Sequence, residues 1–370
     1  MSRPKIVFLS SHNPFTTKAW SGIPFSLFES LKKNYEVEYV PLPHFKSLKL
    51  VGYYFARILH AITGKLYVFD YGIVIARLYG WVGRRRLKNK LAKFIFSPAG
   101  LTEVAFLNTK LPIVSYGDCS TLQLVDYYPA LGDVIGFSKK EIRVVERRAL
   151  ERIEYAIFSS AWASDFVERT YRRKTFTIPF GSNIDSSIDG VKLSRVREPI
   201  KLLWIGVDWY RKGGDIVYET FNRMRAKGLE CQLTIIGVNA PIEPDYSVKV
   251  IPRLQKDIPS DLTILIEAYS EAHFLLLPTR ADCTPIVIAE AFAHGLPVLA
   301  TRTGGVPSMV QDAKTGFLLD LNADQYVNVI ERLTCDWSAY LQMCQNCLAA
   351  YQETFNWEVW GDQLNQVVKI

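Results

Sequence analysis

The residues most suited to chemistry lie between positions 280 and 298, in the run RADCTPIVIAEAFAHGLPV. Thr284 followed by a proline is typical of a helix start, with the threonine as N-cap, and Gly295 is typical of a helix end. The amides of Ile286 and Val287 would then point out of the carboxyl edge of a sheet. Such amides and the helix dipole together form an anion site suited to a diphosphate.

Two carboxylates accompany this expected helix start. Asp282 lies in the loop before it, and Glu290 follows within the helix. Carboxylates on either side of a phosphate-binding helix end suit the recognition of sugar and ribose hydroxyls, because they accept hydrogen bonds. A single capped helix with surface acids is the alternative interpretation.

A second candidate group lies in the run IGVDWYRKGG, at positions 205–214. Arg211 and Lys212 occupy a turn after a strand, and the two glycines that follow permit close backbone approach. A lysine there can reach a diphosphate as a point charge and stabilise a leaving group as its bond breaks. A solvated turn is the alternative.

Two successive strand–helix units must position these groups. The first opens with a strand at 4–9, a helix at 24–33 and a strand from Val37, which is the start of a parallel sheet. The second is expected to have strands at 201–205, 232–236, 247–251, 273–277 and 297–301, with helices at 215–227, 260–271 and 285–294. We therefore predict an N-terminal domain at 1–185, a linker at 186–199, a second domain at 200–350 and a final helix at 351–370.

The composition of the 370 residues is that of a folded protein, with 49% hydrophobic and 22% charged residues. The net charge of +7 is uneven, because residues 1–100 contain 16 Lys and Arg against 4 Asp and Glu. This excess predicts an anionic partner for the N-terminal part. The sequence has no nucleic-acid-binding signature, no dinucleotide-binding GxGxxG after a strand and no Walker A loop.

The six cysteines are scattered, and Cys344 and Cys347 have helical spacing, which favours a buried helix face over a zinc or redox site. We expect no metal, since neither a His/Cys cluster nor an Asp-x-Asp motif in a metal-binding context is present. The apolar run Ile6–Leu9 is too short for a secretory signal, and no run reaches the ~18 residues of a membrane-spanning helix. We expect a reduced, cytoplasmic protein.

The run from Arg280 resembles the E-x7-E region of retaining glycosyltransferases of family 4, with Asp282 in place of the first glutamate. The runs TGGVP at 303–307 and TGFL at 315–318 resemble elements that follow it in that family. The closing Trp357-Glu358 and the final helix resemble the terminal helix that crosses back onto the first domain. The resemblance is specific, because several spaced elements occur in the family's order.

This resemblance implies that Lys212 contacts the donor diphosphate. The family usually has an arginine soon after the first glycine, where this chain has Val207. Either Arg211 takes over that role or one cation suffices. Gly22, in the run WSGIP, resembles the glycine of the family loop that faces the donor phosphates, and an ordinary βα turn is the alternative.

Asp118 follows a strand that ends at Ser115, and it resembles the family's His-Asp or Thr-Asp segment near the reacting sugar. A carboxylate that caps the amides of Ser120 and Thr121 is the alternative. The full implied set consists of catalytic Asp118, Lys212 and Asp282, and donor-binding Gly22, Arg211, Lys212, Thr284, Ile286, Val287 and Glu290.

The resemblance further implies an α/β GT-B fold of two facing Rossmann-like domains, with a C-terminal helix that crosses back. The implied activity is transfer from a UDP- or GDP-linked sugar to a hydroxyl acceptor, with retention at the anomeric carbon and no cofactor. Two alternatives stay open, a sugar-nucleotide 2-epimerase and a nucleotide-sugar-binding protein without transferase activity.

Residues 45–95 combine many aromatic side chains with a positive excess that includes Arg84, Arg85 and Arg86. Aromatic rings favour the headgroup boundary of a membrane, and cations are attracted to an anionic surface. We predict that this stretch rests on the inner membrane face and presents a lipid-linked acceptor. A soluble acidic saccharide would explain the charge equally well, and aromatics in the core beside solvated cations are the alternative.

Overall fold

The computed structural model describes residues 3–184, 197–243 and 245–369. Its contacts divide the chain into two compact units. The first unit comprises Met1–Ala19, Ile23–Ile178 and Gly361–Ile370, and the second comprises Trp20–Gly22 and Pro179–Trp360. Most of the expected linker, residues 186–196, lies outside the described residues.

The first unit is built on a parallel sheet whose described strands follow the order β2-β1-β3-β4-β5-β6. The central strands are apolar because both faces of the sheet are covered there, and residues 6–9 of β1 are entirely buried. The strands are β1 (Lys5–Ser10), β2 (Glu36–Pro41), β3 (Ile95–Pro98), β4 (Ile113–Gly117), β5 (Tyr155–Phe158) and β6 (Phe176–Thr177).

The helices of the first unit lie along this sheet and complete its core. Two of them begin with a side-chain cap: Ser120 accepts from the amide of Gln123, and Ser160 accepts from that of Ala163. The helices are α1 (Ile23–Asn34), α2 (Lys46–Thr63), α3 (Ile73–Leu87), α4 (Leu101–Val104), α5 (Thr121–Leu124), α6 (Gly136–Arg152) and α7 (Ala161–Tyr171).

The aromatic and basic stretch contains the long helix α2, which the sequence did not indicate. Its inner face lies on the 3-10 turn Phe69–Tyr71, where Gly52 leaves room for the ring of Phe69. Lys49 forms a salt bridge of 2.7 Å with Asp70, and the Tyr53 hydroxyl donates to the same carboxylate at 2.7 Å. These contacts fix the helix along one side and leave its other side in solvent.

The second unit repeats the parallel architecture, with described strands in the order β12-β11-β10-β7-β8-β9. β7 is central: Leu202 pairs with Leu233 of β8 on one side and with Phe274 of β10 on the other. The strands are β7 (Ile200–Ile205), β8 (Cys231–Ile236), β9 (Val248–Ile251), β10 (Phe274–Leu277), β11 (Val298–Thr301) and β12 (Gly316–Leu319).

The three helices expected at 215–227, 260–271 and 285–294 lie at those positions to within about two residues. The final helix, expected at 351–370, begins instead at Trp357. Cys344 and Cys347 lie on the buried face of another helix of this unit, as their spacing predicted. The helices are α8 (Gly214–Ala226), α9 (Pro259–Glu271), α10 (Ile286–Ala293), α11 (Ala323–Cys335), α12 (Trp337–Glu353) and α13 (Trp357–Val367). The residues of α13 up to Trp360 belong to the second unit, and those from Gly361 onward belong to the first.

The prediction of a two-domain α/β fold with parallel sheets is therefore confirmed. Within the described residues, no helix has the length and apolar character needed to cross a bilayer.

Candidate functional site

The strand order of the second sheet reverses between β7 and β10, which is called its switch point below. Open α/β sheets bind ligands at the carboxyl ends of the strands where this reversal occurs. The loops at 206–213 and 278–285 both begin there, and they carry the two groups of residues singled out in the sequence.

The two loops are joined by hydrogen bonds through Arg211. Its carbonyl accepts from the amide of Arg280 at 2.7 Å and from the hydroxyl of Thr279 at 3.2 Å. Its guanidinium donates to the carbonyl of Ala281 at 2.8 Å and lies 3.4 Å from the carboxylate of Asp208. Arg211 therefore holds the two loops together, and its charge lies beside the second loop.

Gly213 is required where these loops meet. Its φ of +73° is in the left-handed region, and a side chain there would collide with the carbonyl of Pro278. The sequence interpretation of close backbone approach after Lys212 is confirmed at this residue.

Arg280 adds a second connection that the sequence did not indicate. Its guanidinium binds both carboxylate oxygens of Asp215, at 2.8 and 2.7 Å, and lies 3.8 Å from the centroid of the Tyr210 ring. Burial opposes ionisation of Asp215, but the hydrogen bonds and charge of Arg280 outweigh it and lower the pKa of that carboxyl. The sequence could not indicate this ion pair, because Arg280 and Asp215 are 65 residues apart.

Lys212 and Asp282 form a salt bridge at the switch point. Both side chains are largely buried, with 13% and 9% of their surfaces exposed. The Lys212 carbonyl accepts from the indole of Trp204 at 3.0 Å, which fixes the backbone beneath the cation. The structure thus brings together a cation and a carboxylate that the sequence had placed in separate motifs.

Helix α10 begins one residue later than expected. Pro285, with a ψ of 109°, has the extended backbone of an N-cap, so the prediction of Thr284 as the cap is wrong. Thr284 is buried in the preceding loop. Ile286 and Val287 are the first two helical residues, whose amides have no intrahelical partner. Gly295 follows the C-cap with a positive φ, as predicted.

Glu290 lies inside α10 and is almost entirely buried. One of its oxygens forms a salt bridge with Lys256, and the other accepts from the hydroxyl of Tyr269 at 2.8 Å. Burial and the Glu290 charge raise the pKa of Tyr269. The ring of Tyr269 stacks on His294 at 5.2 Å. Neither Lys256 nor Tyr269 was singled out in the sequence, because neither lies in a motif with Glu290.

Gly22 is buried in the 3-10 turn Trp20–Gly22, which belongs to the second unit. The carbonyl of Ser21 accepts from the side chain of Asn183 at 2.8 Å, and the Trp20 ring meets that of Phe180 at 5.6 Å. This loop is thus anchored on residues that precede the second sheet.

Asp118 lies in the first unit, directly after β4, where its side chain is half-buried. The Cys119 thiol donates to its carboxylate at 3.3 Å. The amide of Thr121 donates instead to Glu146, which also accepts from the Tyr171 hydroxyl at 2.5 Å. A different carboxylate therefore fills the capping role considered for Asp118 at Thr121.

The first sheet reverses its strand order between β1 and β3, and sequence reasoning missed the carboxyl group buried there. Glu103 accepts from the amide of Ser11 at 3.0 Å, and its other oxygen has no hydrogen-bond partner among the described residues. Burial raises the pKa of Glu103 to about 7, against the opposing hydrogen bonds of Ser11 and charge of Lys49. Its position after β3 was the one signal available.

Comparison with known families bears on the segment that carries the second switch point. Residues 199–336 match the family model described as Glycosyl transferases group 1. The second unit therefore contains a segment, residues 199–336, that is similar to the group 1 glycosyltransferases and is called the group 1 domain below. This assignment confirms the glycosyltransferase resemblance found in the motifs.

The chain also has relatives of known name. Residues of this chain are 24% identical over 169 positions to alpha-D-kanosaminyltransferase from Streptomyces kanamyceticus, which is 44% of each protein. The chain matches less than half the length of the first curated relatives, with shares of 12%, 12%, 44% and 25%.

Solved structures resemble nearly the whole chain in fold. The chain resembles sucrose-phosphate synthase from Thermosynechococcus elongatus over 98% of both chains, with a TM-score of 0.70 and 16% identity. HepE of Anabaena, solved in complex with UDP and glucose, covers 98% of this chain and 99% of its own, with a TM-score of 0.65 and 14% identity. At these identities the likeness establishes the fold, which is the two-domain architecture of GT-B glycosyltransferases.

Within the group 1 domain, the matched segment contains Arg211, Lys212, Asp282 and Glu290. It excludes Gly22 and Asp118, whose assignment depends on the family resemblance of short loops. The group 1 domain alone therefore carries the cations, the helix start and the two carboxylates.

Proposed function

We propose that this protein is a retaining glycosyltransferase that moves a hexosyl group from a UDP- or GDP-linked sugar to a hydroxyl acceptor. The observation that carries the proposal is the switch point of the second sheet. There, two interlocked loops hold Lys212 against Asp282, and the second loop leads into the start of α10. Cation, helix amides and carboxylate are the groups that a sugar diphosphate requires.

In this proposal the diphosphate lies between Lys212 and the amides of Ile286 and Val287. The dipole of α10 and the lysine charge stabilise the negative charge that develops on the departing phosphate. Arg211 acts mainly as the clamp between the loops, since its guanidinium is bound to the Ala281 carbonyl. Thr284 and Gly22 complete the donor site through their backbone.

The carboxylates of Asp282 and Glu290 would accept hydrogen bonds from sugar and ribose hydroxyls. Each carboxylate forms a salt bridge with a lysine in this structure, Asp282 with Lys212 and Glu290 with Lys256. A donor that carries its own phosphate charges can draw Lys212 toward the diphosphate and free Asp282 for a hydroxyl. Displacement of Lys256 would expose Glu290 in the same way.

Retention at the anomeric carbon is proposed to proceed on one face of the sugar. The departing phosphate oxygen accepts the proton of the acceptor hydroxyl while the new glycosidic bond forms and the sugar–phosphate bond breaks. Asp118 would orient the sugar or acceptor in this step. The cationic groups named above would perform the charge stabilisation that a metal provides in other transferases, so we propose that none is needed.

We further propose a cytoplasmic reaction in which the acceptor is a lipid-linked or saccharide hydroxyl presented at the inner membrane face. The support is the charge of the first 100 residues, with 16 Lys and Arg against 4 Asp and Glu. Such an excess attracts anionic lipid surfaces and acidic saccharides.

The test begins with thermal unfolding of the full chain in the presence of UDP, GDP or ADP. A nucleotide that binds only the folded state raises the melting temperature by mass action. Labelled donors of the base so identified are then followed with and without candidate acceptors, and the anomeric configuration of the product is read by NMR.

Each outcome of that test separates one function. Acceptor-dependent release of nucleoside diphosphate with a retained anomeric configuration supports the proposal. Release without an acceptor, with an altered sugar, would identify an epimerase, and binding without turnover would identify a nucleotide-sugar-binding protein. An inverted product would contradict the proposed mechanism.

A further inference from the structure

The outer face of helix α2, Lys46–Thr63, is apolar and in solvent. Val51, Ile58 and Ile62 expose 64%, 59% and 76% of their surfaces. Residues spaced three and four apart share a helix face, and this spacing places the exposed apolar side chains together. The outer face of α2 consists of Leu50, Val51, Tyr54, Phe55, Ile58, Ala61 and Ile62.

The inner side of the same helix is already used. Gly52, the only fully buried residue of α2, lies against Phe69, while Lys49 and Tyr53 bind Asp70. The outer apolar side chains therefore do not belong to the core of the first unit. Soluble surfaces rarely expose a contiguous apolar patch of this kind unless it meets a partner.

The positive charge around the outer face of α2 indicates which kind of partner it binds. Residues 45–69 contain four cations and no acidic residue, and Asp70, the only acid between Glu38 and Glu103, is neutralised by Lys49. A second copy of the chain would bring the same cations against each other, which opposes self-association. An anionic lipid surface instead offers an apolar interior for the side chains and negative headgroups for Lys46, Arg57 and Lys65.

We propose that the outer face of α2 inserts into the headgroup boundary of an anionic membrane and holds the first unit there. This inference rests on the proposed membrane acceptor and identifies the surface that reaches it. The aromatic rings of Tyr54 and Phe55 suit the boundary, and the flanking cations remain at the headgroups.

The cations at the end of α3 and directly after it contribute less to the proposed membrane contact. Arg85 stacks on the Trp81 ring at 3.9 Å, Arg86 donates to the Pro41 carbonyl, and Lys90 forms a salt bridge with Glu38. Several of these cations therefore already have partners in the first unit. They can add long-range attraction, whereas the α2 face provides the contact itself.

The experiment is co-sedimentation of the full chain with vesicles of phosphatidylcholine alone or mixed with phosphatidylglycerol. Wild type is expected to bind the mixed vesicles and to retain part of that binding at high salt, because apolar insertion is not screened. Changing Ile58 and Ile62 together to Ser is expected to lower the bound fraction at least tenfold. Changing Arg84, Arg85 and Arg86 to Ser is expected to weaken binding at low salt only.

The matched control is Val144→Ser, which removes an apolar side chain of similar exposure, 50%, from helix α6 of the same unit. It is expected to bind vesicles as wild type does. Stabilisation of every variant by the nucleotide that stabilises wild type shows that the second unit is intact. A failed membrane test with intact nucleotide stabilisation overturns this inference and leaves the donor chemistry standing.

Hydrogen exchange provides a second readout. Amides of α2 are expected to become protected on addition of mixed vesicles, while those of α6 stay unchanged. Wild type that remains in the supernatant at low salt would overturn the proposal, as would equal binding by the Ile58/Ile62 variant. So would a lipid-free dimer that this variant converts to a monomer, since the occupant would then be a second copy.

Discussion

The two sheets of this protein reverse strand order at equivalent places, but they place opposite kinds of chemistry there. At the switch point of the second sheet, between β7 and β10, the cation Lys212 meets the carboxylate Asp282. At that of the first, between β1 and β3, a single carboxyl group, Glu103, is buried and forms no salt bridge with a described cation.

This difference shows that topology provides a place for a ligand and that side chains decide what the place can do. A paired charge can be redirected to a charged ligand, because the ligand replaces the partner. An unpaired buried carboxyl prefers its proton, which is why burial raises the pKa of Glu103 to about 7. Under the proposed function, the first switch point would therefore suit an uncharged hydroxyl and the second a diphosphate.

The largest effect is expected from Lys212→Ala at the second switch point. Loss of the cation should reduce kcat/KM for the sugar donor by about 2–4 kcal/mol of transition-state stabilisation, or roughly 30- to 1,000-fold. Glu290→Ala should fall in the same range. The measurement is the initial rate of nucleoside diphosphate release in the presence of acceptor.

The control for Lys212→Ala is Lys227→Ala, which removes an exposed lysine that is paired with Glu331 in the same unit. Its kcat/KM should remain close to that of wild type. If folded Lys212→Ala and Glu290→Ala both turned over normally, the second switch point would not be the donor site, and the contrast between the two sheets would lose its functional meaning.

The second unit was the easier one to predict, for a physical reason. Its strands are mostly apolar and are separated by turn residues, and its cation, helix start and carboxylate each lie in a short local motif. Lys212 and Asp282 were therefore found from sequence, although only the interlocked loops show that they touch. Lys256 and Tyr269 were missed, because they reach Glu290 through folding alone.

In the first unit the sequence failed at two places. Helix α2 was not predicted because it carries apolar residues on the solvent side as well, which hides the periodicity of a surface helix. The burial of Glu103 was not predicted, because a single glutamate near the end of a strand is usually exposed on the surface. Its burial follows only from the packing of α4 against α3 and α6 and from the hydrogen bond that the Ser11 amide donates to its carboxylate.

The next effect concerns the stability of the first unit and its dependence on pH. Because the pKa of Glu103 rises from 4.5 to about 7 on folding, the folded form keeps a proton that the unfolded chain releases. This favours folding at low pH, and the contribution is lost as pH rises from 4.5 to about 7, by about 3 kcal/mol. Glu103→Gln should remove this loss.

Urea unfolding at about pH 5 and about pH 8 measures this effect as the difference between wild type and Glu103→Gln. Glu29→Gln, which removes an exposed carboxylate of α1, is the control and should keep the wild-type pH dependence. An unchanged pH dependence in Glu103→Gln would mean that the first switch point holds its carboxyl no differently from an exposed one.

A smaller effect is expected at the connection between the two loops of the second unit. Arg280→Lys keeps the charge but loses the bidentate contact with Asp215 and the stacking on Tyr210, at a cost of about 1–2 kcal/mol in the free energy of unfolding. Arg302→Lys, in the exposed pair with Asp312, should cost less than about 0.5 kcal/mol. Equal costs in thermal unfolding would show that the interlock adds no stability.

The smallest effect is expected from removal of divalent metal. If Lys212 and the amides at the start of α10 carry the diphosphate charge, donor turnover should be the same before and after treatment with EDTA. The measurement is nucleoside diphosphate release by chelated enzyme, with and without added Mg²⁺ or Mn²⁺. A complete loss that either ion restores would show that the cations of the second switch point cannot balance the diphosphate alone.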